Sequence, residues 1–163
     1  MTCYIFPGQG SQKIGMGDDL FNQFKNETNQ ASDILGYDIQ KLCLEDPNNE
    51  LNQTQFTQPA LFVVSALSYL ANQKEKPTQP TFLAGHSLGE YNALFAAKVI
   101  DFETGIKLVQ KRGELMSQAT GGAMAAIIGM SATDIAKTLA SNNLTGIDIA
   151  NFNEPNQTVI SGQ

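Results

Sequence analysis

The first apolar run is short: TCYIF at 2–6, ended by Pro7 and Gly8. A run of this length with Pro/Gly punctuation reads as a buried strand. The loop GQGSQKIGMG follows. From 18 to 35, Leu20, Phe21, Phe24, Ile34 and Leu35 recur at helical spacing, which predicts one amphipathic helix. The polar stretch EDPNNELNQ at 45–53 reads as a loop. In TQPALFVVSALSYLANQ, Pro59 suits the first turn of a helix. Residues 60–70 are apolar nearly all round, so this helix is predicted to be buried. KEKPTQP at 74–80 is a turn, and TFLAG at 81–85 is a second buried strand leading into a helix to about Lys98. Asp101 is placed to N-cap a helix from Phe102 to about Gln118.

Gly121-Gly122 interrupts the pattern. After it, AMAAIIGM reads as a strand, SATDIAKTLAS as a helix capped by Ser131 with Asp134 near its start, and IDIANF and QTVISG as two more strands. The pattern therefore predicts an α/β layer over 1–120 and the start of a smaller β-α-β-β unit over 121–163. Such a unit ordinarily continues with another helix and strand, so these residues are expected to be the N-terminal part of a longer protein.

Composition narrows the classes. With 163 residues, 42% hydrophobic and 16% charged, the chain can build a globular core. A net charge of −6 and the lack of a Lys/Arg block argue against nucleic acid as the main partner. Cys3 and Cys43 are far apart and the chain has one histidine, so no metal site is expected and both cysteines read as free thiols. There is no signal-peptide pattern and no membrane-length apolar run, so the protein is expected to be soluble and cytoplasmic.

The chemistry centres on GHSLG at 85–89, which fits the G-x-S-x-G elbow that exposes a serine between a strand and a helix. TFLAG before it and LGEYNALFAAK after it supply that context. Ser87 would sit at a helix N-terminus, where unpaired N–H groups favour developing negative charge. The Leu88 N–H would be one oxyanion donor, and the loop PGQGSQ at 7–12 is the best source of a second. GQGSQKIG lacks the G-K-[ST] ending of a phosphate loop. His86 adjoins the serine, yet consecutive side chains diverge at an elbow. A structural residue packed behind the turn is therefore the better reading of it than a base.

On the helix from 102, Phe102, Ile106, Leu108, Val109, Leu115 and Met116 share one arc, and Arg112 falls inside it. A guanidinium there needs a partner. Spacing alone leaves a salt bridge, a snorkelling side chain and a bidentate carboxylate site open.

FPGQGSQ at 6–12, TQPAL at 57–61, GHSLGEY at 85–91, KRGELM at 111–116 and NFNEPNQTVISG at 151–162 occur in order along the chain. With these segments it resembles the malonyl-CoA:acyl-carrier-protein transacylases, both the free-standing enzymes of fatty-acid synthesis and the acyltransferases of polyketide synthases. The resemblance implies an α/β-hydrolase-like large subdomain with an inserted ferredoxin-like small one, both incomplete here. It implies Ser87 as nucleophile, Gln9 and Leu88 N–H groups as oxyanion hole, and Arg112 as the site for the acyl carboxylate. It also implies Asn151 and Asn153, with His86, near the cleft. The substrates would be malonyl-CoA and a phosphopantetheinylated acyl carrier protein, with no bound cofactor, in a ping-pong transfer. Lys98, Lys107 and Lys111 are the local candidates for docking an acidic carrier. In the family the base is a histidine on a later segment, so this chain is expected to lack it and to expose apolar surface. The alternatives are an acyltransferase-like serine hydrolase, which Arg112 argues against, and a non-catalytic interaction module.

Overall fold

The computed structural model describes residues Met1–Gln163. The chain divides after Gln118 into two compact units. In the first, β1 (Cys3–Phe6) pairs in parallel with β2 (Phe82–Gly85), in register from Cys3 opposite Phe82 to Phe6 opposite Gly85. Between them run α1 (Asp18–Gln23), α2 (Lys25–Leu35), α3 (Ile39–Leu44) and the long α4 (Thr54–Glu75). After β2 come α5 (Gly89–Ala96) and α6 (Phe102–Ser117).

The core is helical. Phe21, Ile39, Leu51, Phe62, Leu67 and Ile106 are buried there. α4 is central, packing on α6, α5, α1, α2 and α3. Asn92 of α5 is almost fully buried and its Nδ2 donates to the Phe62 carbonyl at 2.9 Å, which ties α5 to α4.

The expected helix over 18–35 is two helices. Phe24 breaks it at φ −122°, ψ 54°, and the Thr28 hydroxyl donates to the Phe24 carbonyl at 2.9 Å. Phe21, Phe24, Ala31 and Leu35 all still reach the core, so the apolar periodicity runs straight through the break. α3 was not expected. Asp38 caps it, accepting from the Lys41 N–H at 2.9 Å, directly after Gly36 ends α2 in the left-handed region.

Pro59 is not in the first turn of its helix: α4 starts at Thr54, with Gln53 as its cap. A proline there leaves the carbonyl four residues earlier, that of Gln55, without its helical donor. Gly113 of α6 lies over that turn, where a Cβ would meet Gln55 Cα at 3.1 Å.

The two strands of this unit are not buried as expected. Ile5 is 75% exposed and Phe82 56%, while Phe6 is covered. A parallel strand is buried when neighbours and helices cover it on both sides, and this sheet has two strands.

On α6 the inward stripe is Phe102, Gly105, Ile106, Val109 and Gly113, whereas Leu108, Leu115 and Met116 are exposed. Glycines take inward positions because α4 comes too close for side chains: a Cβ on Gly105 would meet the Phe62 ring at 2.1 Å. Asp101 caps α6 through the Thr104 N–H at 2.7 Å.

The second unit is an antiparallel sheet of β3 (Ala123–Ile128), β4 (Ile147–Glu154) and β5 (Gln157–Gly162), with β5 in the middle, and α7 (Ala132–Ser141) between β3 and β4. Ser131 caps α7 through the Asp134 N–H. No helix of the chain is long and apolar enough to cross a membrane.

Candidate active site

Ser87 stands on the turn between β2 and α5 with φ 54°, a left-handed conformation that costs a non-glycine residue energy. The neighbouring glycines enforce it. A Cβ on Gly85 would lie 2.1 Å from the Gly89 carbonyl carbon, and one on Gly89 would lie 2.2 Å from the Phe6 carbonyl oxygen. Strand, turn and helix are thus packed backbone against backbone, and the serine is left exposed at the apex.

The turn uses several of its own N–H groups. Gly89 N–H donates to the His86 carbonyl at 3.0 Å, Glu90 N–H to Ser87 at 3.1 Å and Tyr91 N–H to Leu88 at 3.1 Å. The Leu88 N–H takes no part in these bonds. The loop after β1 lies against the same turn. His86 N–H donates to the Phe6 carbonyl at 3.0 Å, and a Cβ on Gly8 would sit 2.6 Å from the His86 carbonyl oxygen and 3.0 Å from its Nδ1. The His86 ring therefore packs over Gly8. Gln9 follows directly, and its Nε2 donates to Thr54 Oγ1 at 3.2 Å, which anchors the loop to the start of α4.

Arg112 reaches this site from α6. Its Nη2 donates to Ser87 Oγ at 2.9 Å and its Nη1 to Gln58 Oε1 at 2.6 Å. No carboxylate of the chain pairs with it; the ion pairs of the neighbourhood join Lys107 to Glu103 and Lys111 to Glu114. A half-buried guanidinium held by two neutral oxygens keeps its full charge. It lies within one hydrogen bond of a serine hydroxyl, and that oxygen still has its own proton to give.

Gln58 went unremarked in the sequence beyond its place in TQPAL, yet it is fully buried and touches Arg112. Gln58 sits before the apolar run, between Thr57 and Pro59 and three residues after Gln55, so the sequence held no signal to single it out. Asn151 and Asn153 lie on β4 in the second unit, where the pairing with β5 shifts register between Ile149 and Asn151 and again between Phe152 and Glu154. Such bulges re-aim side chains.

A strained serine on a glycine-bounded strand–turn–helix, with a cation beside it, is the equipment of an acyl-transferring or acyl-hydrolysing enzyme. Comparison with known proteins fixes the class: residues 3–163 match the acyl transferase domain, and the chain belongs to that family. It is 60% identical over its whole length to the polyketide biosynthesis malonyl CoA-acyl carrier protein transacylase PksC of Bacillus subtilis strain 168, covering 57% of that protein. A crystal structure of a malonyl CoA-acyl carrier protein transacylase from Burkholderia pseudomallei matches 99% of the chain at TM-score 0.95 and 56% identity, with 56% of that structure covered. A malonyl-transacylase solved in complex with a type II polyketide synthase acyl carrier protein matches 99% of it at TM-score 0.89 and 42% identity, with 54% covered. The chain thus spans little more than half the length of these relatives.

Proposed function

We propose that this chain carries the nucleophile and the carboxylate clamp of a malonyl-CoA:acyl-carrier-protein transacylase in fatty-acid or polyketide synthesis. The observation that carries the reading is Arg112, a guanidinium with no carboxylate partner, 2.9 Å from Ser87 Oγ on a left-handed elbow. A hydrolase of simple acyl groups has no use for a fixed cation there, whereas a malonyl group brings a free carboxylate to it.

In this reading Ser87 Oγ attacks the thioester carbonyl of malonyl-CoA. The C–S bond breaks, CoA leaves as the thiol, and an acyl-serine ester remains. The carrier's phosphopantetheine thiol then attacks the ester, the C–O bond breaks and the proton returns to Ser87. The Leu88 N–H, unused by the turn, and the Gln9 N–H, on the loop packed against it, are the oxyanion donors. We assign the base to the part of the longer relatives that this chain does not cover, because His86, the single histidine, packs over Gly8. Of the cleft residues that the resemblance implies, His86 adjoins Ser87, and Asn151 and Asn153 lie on β4 of the second unit. Lys98, Lys107 and Lys111 are assigned to carrier docking; the exposed ion pairs of the latter two are weak enough to yield to a new partner.

The two-unit architecture supports the finer reading of the fold. The order β3-β5-β4, with a helix linking β3 and β4, is that of the first three strands of a ferredoxin-like βαββαβ unit. The parallel pair and elbow suit an α/β-hydrolase-like subdomain.

The test is intact mass after incubation with malonyl-CoA, on this chain and on a polypeptide of the relatives' length. A malonyl adduct on the longer form, absent in Ser87→Ala and weakened in Arg112→Ala, is expected. Acylation of the short chain would contradict the assignment of the base, and no adduct on a folded longer form would overturn the transferase reading.

A further inference from the structure

Arg112 is gripped at two points, and the grip on the side away from the serine comes from Gln58. The Gln58 amide is fully buried on α4, and both of its ends meet α6: Oε1 accepts from Arg112 Nη1 at 2.6 Å, and Nε2 donates to Met116 Sδ at 3.1 Å. Arg112 and Met116 are one helical turn apart, so a single α6 face fixes the amide plane. A guanidinium has donors alone, so the amide oxygen must face it and the NH₂ must face the sulfur. Sulfur is a weak acceptor, so the nitrogen end of this amide is poorly compensated for its burial. An apolar residue of the same shape would avoid that cost, and a glutamate would bind the arginine more strongly. Glutamine is the isostere that can hold the guanidinium without cancelling its charge.

We propose that Gln58 is a positioning residue: it fixes the Arg112 guanidinium beside Ser87 while leaving its positive charge for the carboxylate of the incoming acyl group. This rests on the reading of Arg112 as the carboxylate site. Gln58 itself touches neither the serine nor the acyl group. Its effect is on discrimination between acyl donors that carry a free carboxylate and those that do not.

The experiment compares kcat/KM for malonyl-CoA and acetyl-CoA in the polypeptide of the relatives' length, as wild type, Gln58→Glu, Gln58→Met and Arg112→Ala. Gln58→Glu is expected to lower the malonyl-to-acetyl ratio by about tenfold or more, chiefly through KM for malonyl-CoA, because an ion pair consumes the charge. Gln58→Met, which frees the guanidinium, is expected to lower the ratio in the same direction. A purely structural role predicts the opposite pattern. Gln58→Glu, keeping the acceptor and the shape, would hold its ratio, and any damage from Gln58→Met would depress both donors alike. An unchanged ratio in the Gln58 variants, with the ratio collapsed in Arg112→Ala, overturns this proposal and leaves the Arg112 reading standing. An unchanged ratio in Arg112→Ala overturns both. Should Gln58→Glu fail to fold, the Gln58→Met ratio decides.

Discussion

Ser87 and Cys43 make an instructive pair. By atom type the cysteine is the better nucleophile. Yet Cys43 lies fully buried on α3, its thiol pushed up to about 12 by burial and by the nearby charges of Asp38 and Asp46. Ser87 has the poorer atom on the better mount: exposed, strained, facing a guanidinium and next to an uncommitted N–H. The difference lies in the backbone that carries each side chain. The elbow is rigid because two glycines allow backbone contact, and the α3 region is inert because its cysteine is packed among apolar side chains.

The comparison can be broken most directly by moving the thiol. In Ser87→Cys, iodoacetamide at pH 8 should label position 87 about a thousandfold faster than Cys43, since a thiol at about 12 is ionised in roughly one molecule in ten thousand at that pH. Exposed Cys3 is the internal reference, and Cys43 labelling as fast as Cys3 would end the argument.

The next effect is on stability against pH. The folded-state pKa of Cys43 is raised, so the stability it contributes is complete below pH 9, its ordinary value, and is lost as pH rises toward 12. The buried Tyr37 hydroxyl, raised first by desolvation, acts in the same direction. Over that window the loss from Cys43 amounts to about 4 kcal/mol. Denaturant melts at pH 8, 9, 10 and 11 should show it, with a flatter slope in Cys43→Ala; an equal slope would remove Cys43 as the cause.

Gly85→Ala attacks the mount itself. Its Cβ would meet backbone at 2.1 Å, so a cost of about 3 kcal/mol is expected, with loss of acylation at Ser87. Gly113→Ala is the mild counterpart. The nearest atom is 3.1 Å away, and a loss of about 1 kcal/mol in a thermal melt is expected. If the two substitutions cost the same, the elbow is not the tighter of the two approaches.

The elbow was legible in the sequence because its chemistry demands particular residues in a fixed order, and GHSLG between an apolar run and a helical one meets that demand. The Asp101 and Ser131 caps were legible for the same reason: a side-chain oxygen three residues before an N–H it can reach. The break at Phe24 was not, because Phe21, Phe24, Ala31 and Leu35 keep helical spacing across it. The true inner stripe of α6 was missed because Gly105 and Gly113 carry no hydrophobic signal, and what places them inward is the closeness of α4. Arg112 was placed inside an apolar arc of which Leu108, Leu115 and Met116 are exposed, and its partners lie 25 and 54 residues away, of which spacing along one helix says nothing.

The register of β1 and β2 has a kinetic side. Cys3 lies opposite Phe82, and the Thr2 N–H reaches Thr81, 79 positions further along the chain. Closing so long a loop costs entropy before any strand contact repays it, and non-local parallel pairing is slow. The segment that packs against the elbow is made about eighty residues before the serine. The helices in between can form locally while Ser87 has no mount. The turn that carries Ser87 is therefore expected to form in one of the last folding steps of this unit, when β1 and β2 pair.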